Sequence, residues 1–324
     1  MPEAAPFLTE AAHGPEGARA LWIATVDGKR LRIGHYPAAN GGAVHGTVLL
    51  FPGRTEYIEK YGRTAADLAA GGYHTVTIDW RGQGLSDRLL DDARTGHVHV
   101  FDDYQRDAEA LVAWAEAADL PRPWHLIGHS MGGCIGLRAL MNNLDVASAA
   151  FTGPMWGIRI SPVMRPAAWA ISWGSSQVGM GHQIAPGTKP ESYIASEGFD
   201  GNMLTRDRDM FDYMRAQVLE EPKLQLGGPS LRWLNEALKE CRALSRMPAP
   251  DYPCLAFVGT NERIVDVARI EARIAGWPGA RLERIPGGEH EVLMEGPEVR
   301  GRILREILAH FDAAGGVASR AERA

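Results

Sequence analysis

The sequence predicts an α/β fold: a mostly parallel sheet with helices on both faces, interrupted by a helical insertion. Three observations carry this. Short apolar runs alternate with stretches of helical spacing from about residue 46 to 151 and again after Pro253, the rhythm of strands buried on both faces by crossover helices. Between them the rhythm fails for roughly a hundred residues, well beyond an ordinary loop. The composition is that of a globular protein, with 324 residues of which 45% are hydrophobic and 23% charged. That mixture excludes a mainly disordered chain, and the length leaves room for a large core carrying an insertion.

The elements follow in order. From Leu21 to Tyr36 two extended stretches flank Asp27-Gly28, a dipeptide suited to a tight hairpin turn. Gly46 to Phe51 (GTVLLF) is a short, nearly unbroken apolar run that reads as a buried strand, and Tyr57 to Ala70 has helical spacing up to the Gly71-Gly72 stop. The unit recurs: His74 to Asp79 reads as strand, Asp103 to Ala118 as helix, Trp124 to Ile127 as strand, Met131 to Met141 as helix, and Val146 to Phe151 as strand. The insertion then holds Trp156, Trp169, Trp173 and Trp233 and the helical-looking Asp207 to Leu219 and Ser230 to Leu244, so it is expected to be a small helical subdomain. Its aromatics serve either as its own core or, for Trp156, Trp169 and Trp173, as walls of a substrate site. After Pro253 come strand Cys254 to Val258, helix Val267 to Ala275, strand Arg281 to Ile285 and helix Val299 to Phe311. The expected organisation is core over 1–153, insertion over 154–247, core again over 248–313 and a flexible tail over 314–324.

Charge and cysteine content narrow the function. Lys and Arg number 34 against 40 Asp and Glu, a net charge of −6, with no long basic run to hold nucleic acid. Three cysteines, Cys134, Cys241 and Cys254, lack metal-site spacing and fit a reduced, cytoplasmic setting. The N-terminal residues have neither a basic nor an apolar signal region, and no stretch approaches the ~20 apolar residues of a membrane span. Membrane contact is expected to be peripheral at most.

The chemistry concentrates at Gly128-His129-Ser130-Met131-Gly132, between a strand and a helix. With 37 glycines in the chain the Gly-x-Ser-x-Gly pattern arises by chance often enough to be weak alone. Its strand-to-helix position is what a nucleophile elbow requires, with Gly128 and Gly132 keeping side chains clear of the serine. A serine hydroxyl needs a base, and the base a carboxylate. His290, in a glycine-bearing loop after the last strand, is the expected base; His310 falls inside a helical pattern. For the acid, Glu262 and Asp266 compete after Cys254 to Val258; Glu262 is nearer the strand end and Asp266 resembles a helix N-terminal residue. The amides of Met131 and of Arg54, in the turn Phe51-Pro52-Gly53-Arg54, are the expected oxyanion donors.

These segments together resemble the α/β-hydrolases, and within them the lysophospholipase and monoacylglycerol lipase-like branch, which also includes serine peptidases acting on small N-terminal residues. The resemblance rests on PGRTEYIEKYGRTAADLAAGGY, DWRGQGLSD, GHVHVFDDYQRD, HLIGHSMGG, GTNERIVD and GGEHEV, in order along the chain. It implies an eight-stranded sheet, a helical cap after the sixth strand, and ester hydrolysis through an acyl-enzyme with no metal or organic cofactor. Ser130 matches the family's nucleophile, His290 its base, and the amides of Arg54 and Met131 its oxyanion hole. Two positions depart from the usual pattern: Pro52 stands where His is usual, and Glu262 where Asp is usual. The expected substrate is a single-chain lipid ester, a monoacylglycerol or lysophospholipid. A phosphate-bearing head group would draw on Arg159, Arg165, Lys189, Arg206 or Arg208 of the insertion. The alternatives are an amide-directed hydrolase and a non-catalytic binding protein on the same scaffold. Dehalogenase and epoxide hydrolase chemistry fits less well, because those branches carry Asp where this chain has Ser130.

Overall fold

A computed structural model describes residues 2–321. In the first part of the core, α1 (Thr9–Ala12), β1 (Arg19–Ala24), β2 (Arg30–Tyr36), β3 (Gly46–Phe51), α2 (Gly62–Ala70), β4 (Tyr73–Asp79), α3 (Asp103–Ala117), β5 (Trp124–His129), α4 (Met131–Met141) and β6 (Ser148–Thr152) follow one another. The insertion carries α5 (Arg165–Gln177), α6 (Tyr193–Ser196), α7 (Arg208–Glu220) and α8 (Leu231–Leu244). The core closes with β7 (Cys254–Gly259), α9 (Val267–Ala275), β8 (Arg281–Ile285) and α10 (Pro297–Ala321).

One eight-stranded sheet runs in the order β1-β2-β4-β3-β5-β6-β7-β8. The β1–β2 and β2–β4 pairs are antiparallel and the rest parallel. Successive side chains of a strand point to opposite faces, and the apolar runs divide accordingly. Leu49, Phe51, Leu126, Ala256 and Val258 pack with Leu111 of α3, Ile135 of α4 and Ile270 of α9 on one face. Val48, Leu50, Ile127, Leu255 and Phe257 pack with Leu68 of α2 and Ile303 and Ile307 of α10 on the other. A strand buried on both faces is mostly apolar on both, which is why GTVLLF shows no alternation; its one polar side chain, buried Thr47, donates to the Pro121 carbonyl at 2.7 Å.

The insertion leaves the sheet after β6 and returns at β7. These strands are neighbours, paired from Ala149↔Cys254 to Thr152↔Phe257. Three expectations shift. The helix expected from Tyr57 begins as a 3-10 turn over Ile58–Tyr61 before α2. Beyond the expected helices of the insertion, α5 and α6 are also helical. The tail expected from residue 314 continues α10 through Ala321, in keeping with the helix propensity of Ala313 and Ala314 and the near-complete burial of Ala314; residues 322–324 lie outside the described residues.

Candidate active site

β5 runs into α4 with Ser130 between them, at φ 49° and ψ −116°. This is a left-handed conformation that an L-residue with a Cβ adopts only when its surroundings enforce it. Here the Ser130 amide donates to the Thr152 carbonyl at 3.1 Å, and its own carbonyl accepts from Met155 at 2.8 Å and Gly133 at 2.9 Å. The flanking glycines are sterically required. A Cβ on Gly132 would lie 2.0 Å from the Phe51 carbonyl oxygen, and one on Gly128 3.0 Å from that of Gly132. Ser130 is nearly buried, with 8% of its surface exposed, and that exposure is to a cavity.

His290 follows β8 in the loop expected for it. Its Nδ1 lies 2.7 Å from Glu262 Oε2, and both side chains are buried. The other carboxylate oxygen, Oε1, accepts from the amides of Ile264 at 2.7 Å and Val265 at 3.0 Å. Burial pushes the Glu262 carboxyl up, but the hydrogen bond and charge of His290 and the two amides outweigh it and hold the group below its ordinary value. With Nδ1 donating to an ionised carboxylate, Nε2 is the free base of the ring. Asp266, the competing acid, heads α9 and pairs instead with Arg165 at 3.1 Å. Gly153, just past β6, lies against the imidazole, where a Cβ would come within 3.2 Å of His290 Nδ1.

The turn after β3 brings Arg54 into the wall of the cavity that Ser130 also lines. Among the described residues nothing accepts a hydrogen bond from the amide of Arg54 or Met131. The turn is held by Trp80 Nε1 donating to the Pro52 carbonyl at 2.9 Å and Gln83 Nε2 to that of Gly53 at 2.8 Å. Pro52 has no amide N–H to lose, so its carbonyl serves this purpose unchanged.

Beneath these groups lies a buried charge cluster that sequence reasoning missed. The Gly53 amide and the Lys60 ammonium both donate to Glu56, which also accepts from the Tyr61 hydroxyl at 2.5 Å. Lys60 Nζ lies 2.7 Å from Glu291, the residue after His290. His129, the residue before Ser130, has its Nε2 3.1 Å from Glu291 and 3.4 Å from Glu56, and Nδ1 2.9 Å from Thr152 Oγ1. Burial pulls His129 down, but the two carboxylates raise it above its ordinary value. The cluster therefore ties together the oxyanion turn, the elbow and the histidine loop. Glu56, His129 and Glu291 could in principle hold a metal ion, their ligand atoms lying within 4.8 Å of one another; Lys60 already supplies both carboxylates with a cation.

Ser130 and His290 open onto a cavity of about 740 Å³. Ile160, Met164, Ile171, Ile194, Met214 and Trp233 of the insertion form much of its wall. Trp156, Trp169 and Trp173 do not reach it. Trp156 is turned into the sheet core, with its ring 5.2 Å from Phe151 and its Nε1 donating to Gly133 at 3.1 Å. On α5 it is Ala167, Ala168 and Ile171 that face the cavity. Trp169 and Trp173 stand two positions on, about 200° around the helix; Trp169 meets Arg242 and Trp173 is 57% exposed. Trp233, named in the sequence with the insertion's other tryptophans but not among the three expected at the site, is the one that lines the cavity.

The chain matches the family model described as Serine aminopeptidase, S33, over residues 42–297. It is 32% identical over 278 residues to lysophospholipase L2 of Escherichia coli (strain K12), covering 82% of this chain and 80% of that protein. It is 28% identical over 271 residues to the probable lysophospholipase L2 of Haemophilus influenzae, covering 83% and 84%. Among solved structures, a soluble variant of monoglyceride lipase from Saccharomyces cerevisiae superposes with a TM-score of 0.71 at 22% identity, over 90% of this chain and 94% of that one. The ordered strands, the elbow and the match over most of the chain agree: the protein belongs to the serine-hydrolase family described as Serine aminopeptidase, S33, within the α/β-hydrolase superfamily.

Proposed function

We propose that the protein hydrolyses single-chain lipid esters, a lysophospholipid or a monoacylglycerol, through an acyl-enzyme on Ser130. The observation that carries this is the apolar cavity of about 740 Å³ meeting Ser130 and His290, a shape and lining suited to one acyl chain. The family is one of serine hydrolases, and relatives named lysophospholipase and monoglyceride lipase support the ester class. In the proposed mechanism Ser130 Oγ attacks the ester carbonyl while His290 Nε2 takes its proton and Glu262 stabilises the imidazolium. The Arg54 and Met131 amides receive the oxyanion. His290 returns the proton to the leaving alcohol, and water, deprotonated by the same histidine, then releases the fatty acid. The proposed setting is cytoplasmic, on the cysteine content of the sequence alone. Exposed Val163, Trp173 and Val178 on and beside α5 support peripheral contact with lipid.

The test compares p-nitrophenyl esters from acetyl to palmitoyl, monoacylglycerol and lysophosphatidylcholine with an aminoacyl anilide, for the wild type and Ser130→Ala. Ester turnover that rises with chain length and is lost in Ser130→Ala is expected. Anilide turnover without esterase activity favours the amide-directed reading that the family description also contains. No turnover, together with failure of a fluorophosphonate to label Ser130 in folded protein, favours a binding role.

A further inference from the structure

We propose that the Arg54 guanidinium is a phosphate-binding group, so that the cavity prefers a single-chain lipid ester whose glycerol carries an anionic phosphodiester over a neutral monoacylglycerol. This rests on the lipid-ester reading above and concerns the head group alone. Three basic residues line the cavity: Arg54, Lys60 and Lys189. Lys60 is neutralised by Glu56 and Glu291, and Lys189 by Glu197 at 2.7 Å. Arg54 differs from both, because among the described residues no carboxylate forms an ion pair with it. Its Nη2 donates to the Gly227 carbonyl and the guanidinium lies 5.3 Å from the Trp233 ring centre. Its Nε is buried with no hydrogen-bond partner.

An uncompensated cation away from water is costly, and a site that keeps one is poised for an anion. Burial lowers the Arg54 pKa to about 10, which still leaves the group charged at neutral pH. A guanidinium has five N–H donors in a planar fork matched to phosphate oxygens, and among the described residues only the Gly227 carbonyl accepts from it. Its seat is also shaped for it: a Cβ on Gly96 would stand 2.7 Å from Nη2.

The geometry of the reaction gives the reach. The Arg54 amide is the proposed oxyanion donor, so the guanidinium lies one arginine side chain from the reacting carbonyl. In a lysophospholipid the phosphate lies one glycerol backbone from the same ester. The basic residues of the insertion do not compete, since Arg159, Arg165, Arg206 and Arg208 do not line the cavity. Arg159 donates to the Glu262 carbonyl, and Arg165 and Arg208 pair with Asp266 and Asp212.

The experiment measures kcat/KM for lysophosphatidylcholine and for a monoacylglycerol of the same chain, using wild type, Arg54→Met and Arg54→Lys. Losing a charge-assisted contact should lower the ratio of the two in Arg54→Met by about ten- to a hundredfold, with part of it restored in Arg54→Lys. As a binding readout, ether-linked lysophosphatidylcholine should inhibit p-nitrophenyl ester hydrolysis more strongly than the matching monoalkylglycerol in wild type, and lose that advantage in Arg54→Met. If both lipids are hydrolysed but the ratio is unchanged in Arg54→Met, this proposal is overturned while the ester reading stands. If wild type hydrolyses no lipid ester, the ester reading fails and takes the proposal with it.

Discussion

Glu262 reaches the imidazole from a loop position where its relatives by pattern usually carry the shorter aspartate. The extra methylene is absorbed because the carboxylate is fixed on its other side by the Ile264 and Val265 amides. Removing its charge while keeping its shape should therefore act on the chemistry rather than on the fold. Glu262→Gln is expected to lower kcat on a p-nitrophenyl ester by about 10²–10⁴-fold with KM little changed, whereas Asp266→Asn should change it by no more than a few-fold. A drop below tenfold in Glu262→Gln would remove Glu262 from the mechanism. Ser130 and His290 were readable in the sequence because each sits just beyond a strand and strand order fixes which loops meet. The same rule located the loop of the acid but left Glu262 and Asp266 competing within it, which the geometry of His290 separates. The cluster of Glu56, Lys60, His129 and Glu291 was not readable. It is a conjunction of side chains from three distant segments, and Lys60 inside a helix looks like any solvated lysine until its partners are seen.

At the scale of elements, α8 shows how the cap is anchored. Ser230 is fully buried at its N-terminus, where Oγ accepts from the Trp233 amide at 3.1 Å and lies 2.8 Å from His97 Nδ1. The one hydroxyl thus caps the helix and partners a buried imidazole of the core. Ser230→Ala should cost about 1–3 kcal/mol, read as a lower urea midpoint at unchanged m-value. An unchanged midpoint would mean that water replaces both contacts. The periodicity of α8 was legible in sequence, since Leu231, Leu234, Leu238 and Cys241 repeat at helical spacing. That of α5 was not, because Gly174 and the neighbouring serines dilute its pattern and its cavity face is built largely from alanines.

For the molecule as a whole, three buried histidines work against stability in acid, while His129, held above its ordinary value by Glu56 and Glu291, works the other way. Burial, with lesser contributions from nearby charges, lowers His35, His97 and His125 to about 4 each. Their folded values lie below the ordinary 6.5, so the unfolded chain takes up protons first. The stability they contribute is present above about pH 6.5 and is lost as the pH falls towards 4. Thermal unfolding followed across that range should show Tm falling, and His125→Gln, which removes one of the three groups, should make the fall shallower. A flat profile would contradict the assignment of neutral imidazoles. The sheet itself was legible almost strand for strand, because apolar runs without alternation, bounded by glycine and proline, have few other places to go. Leaving the sheet at β6 and rejoining it at the adjacent β7 has an evolutionary consequence. Because these strands are parallel, the chain leaves at the C-terminal end of β6 and re-enters at the N-terminal end of β7, three residue pairs or about 10 Å along the ladder and one strand over, a gap that any short crossover can span. The cap can therefore be exchanged as a cassette wherever its replacement restores the bonds it makes to the Glu262 carbonyl and the His290 amide. Chain-length preference would travel with that cassette. Head-group preference, if it rests on Arg54, would be shared between the two parts, since the arginine belongs to the core while the Gly227 carbonyl and Trp233 ring that seat its guanidinium belong to the cap, and the two selectivities would change together.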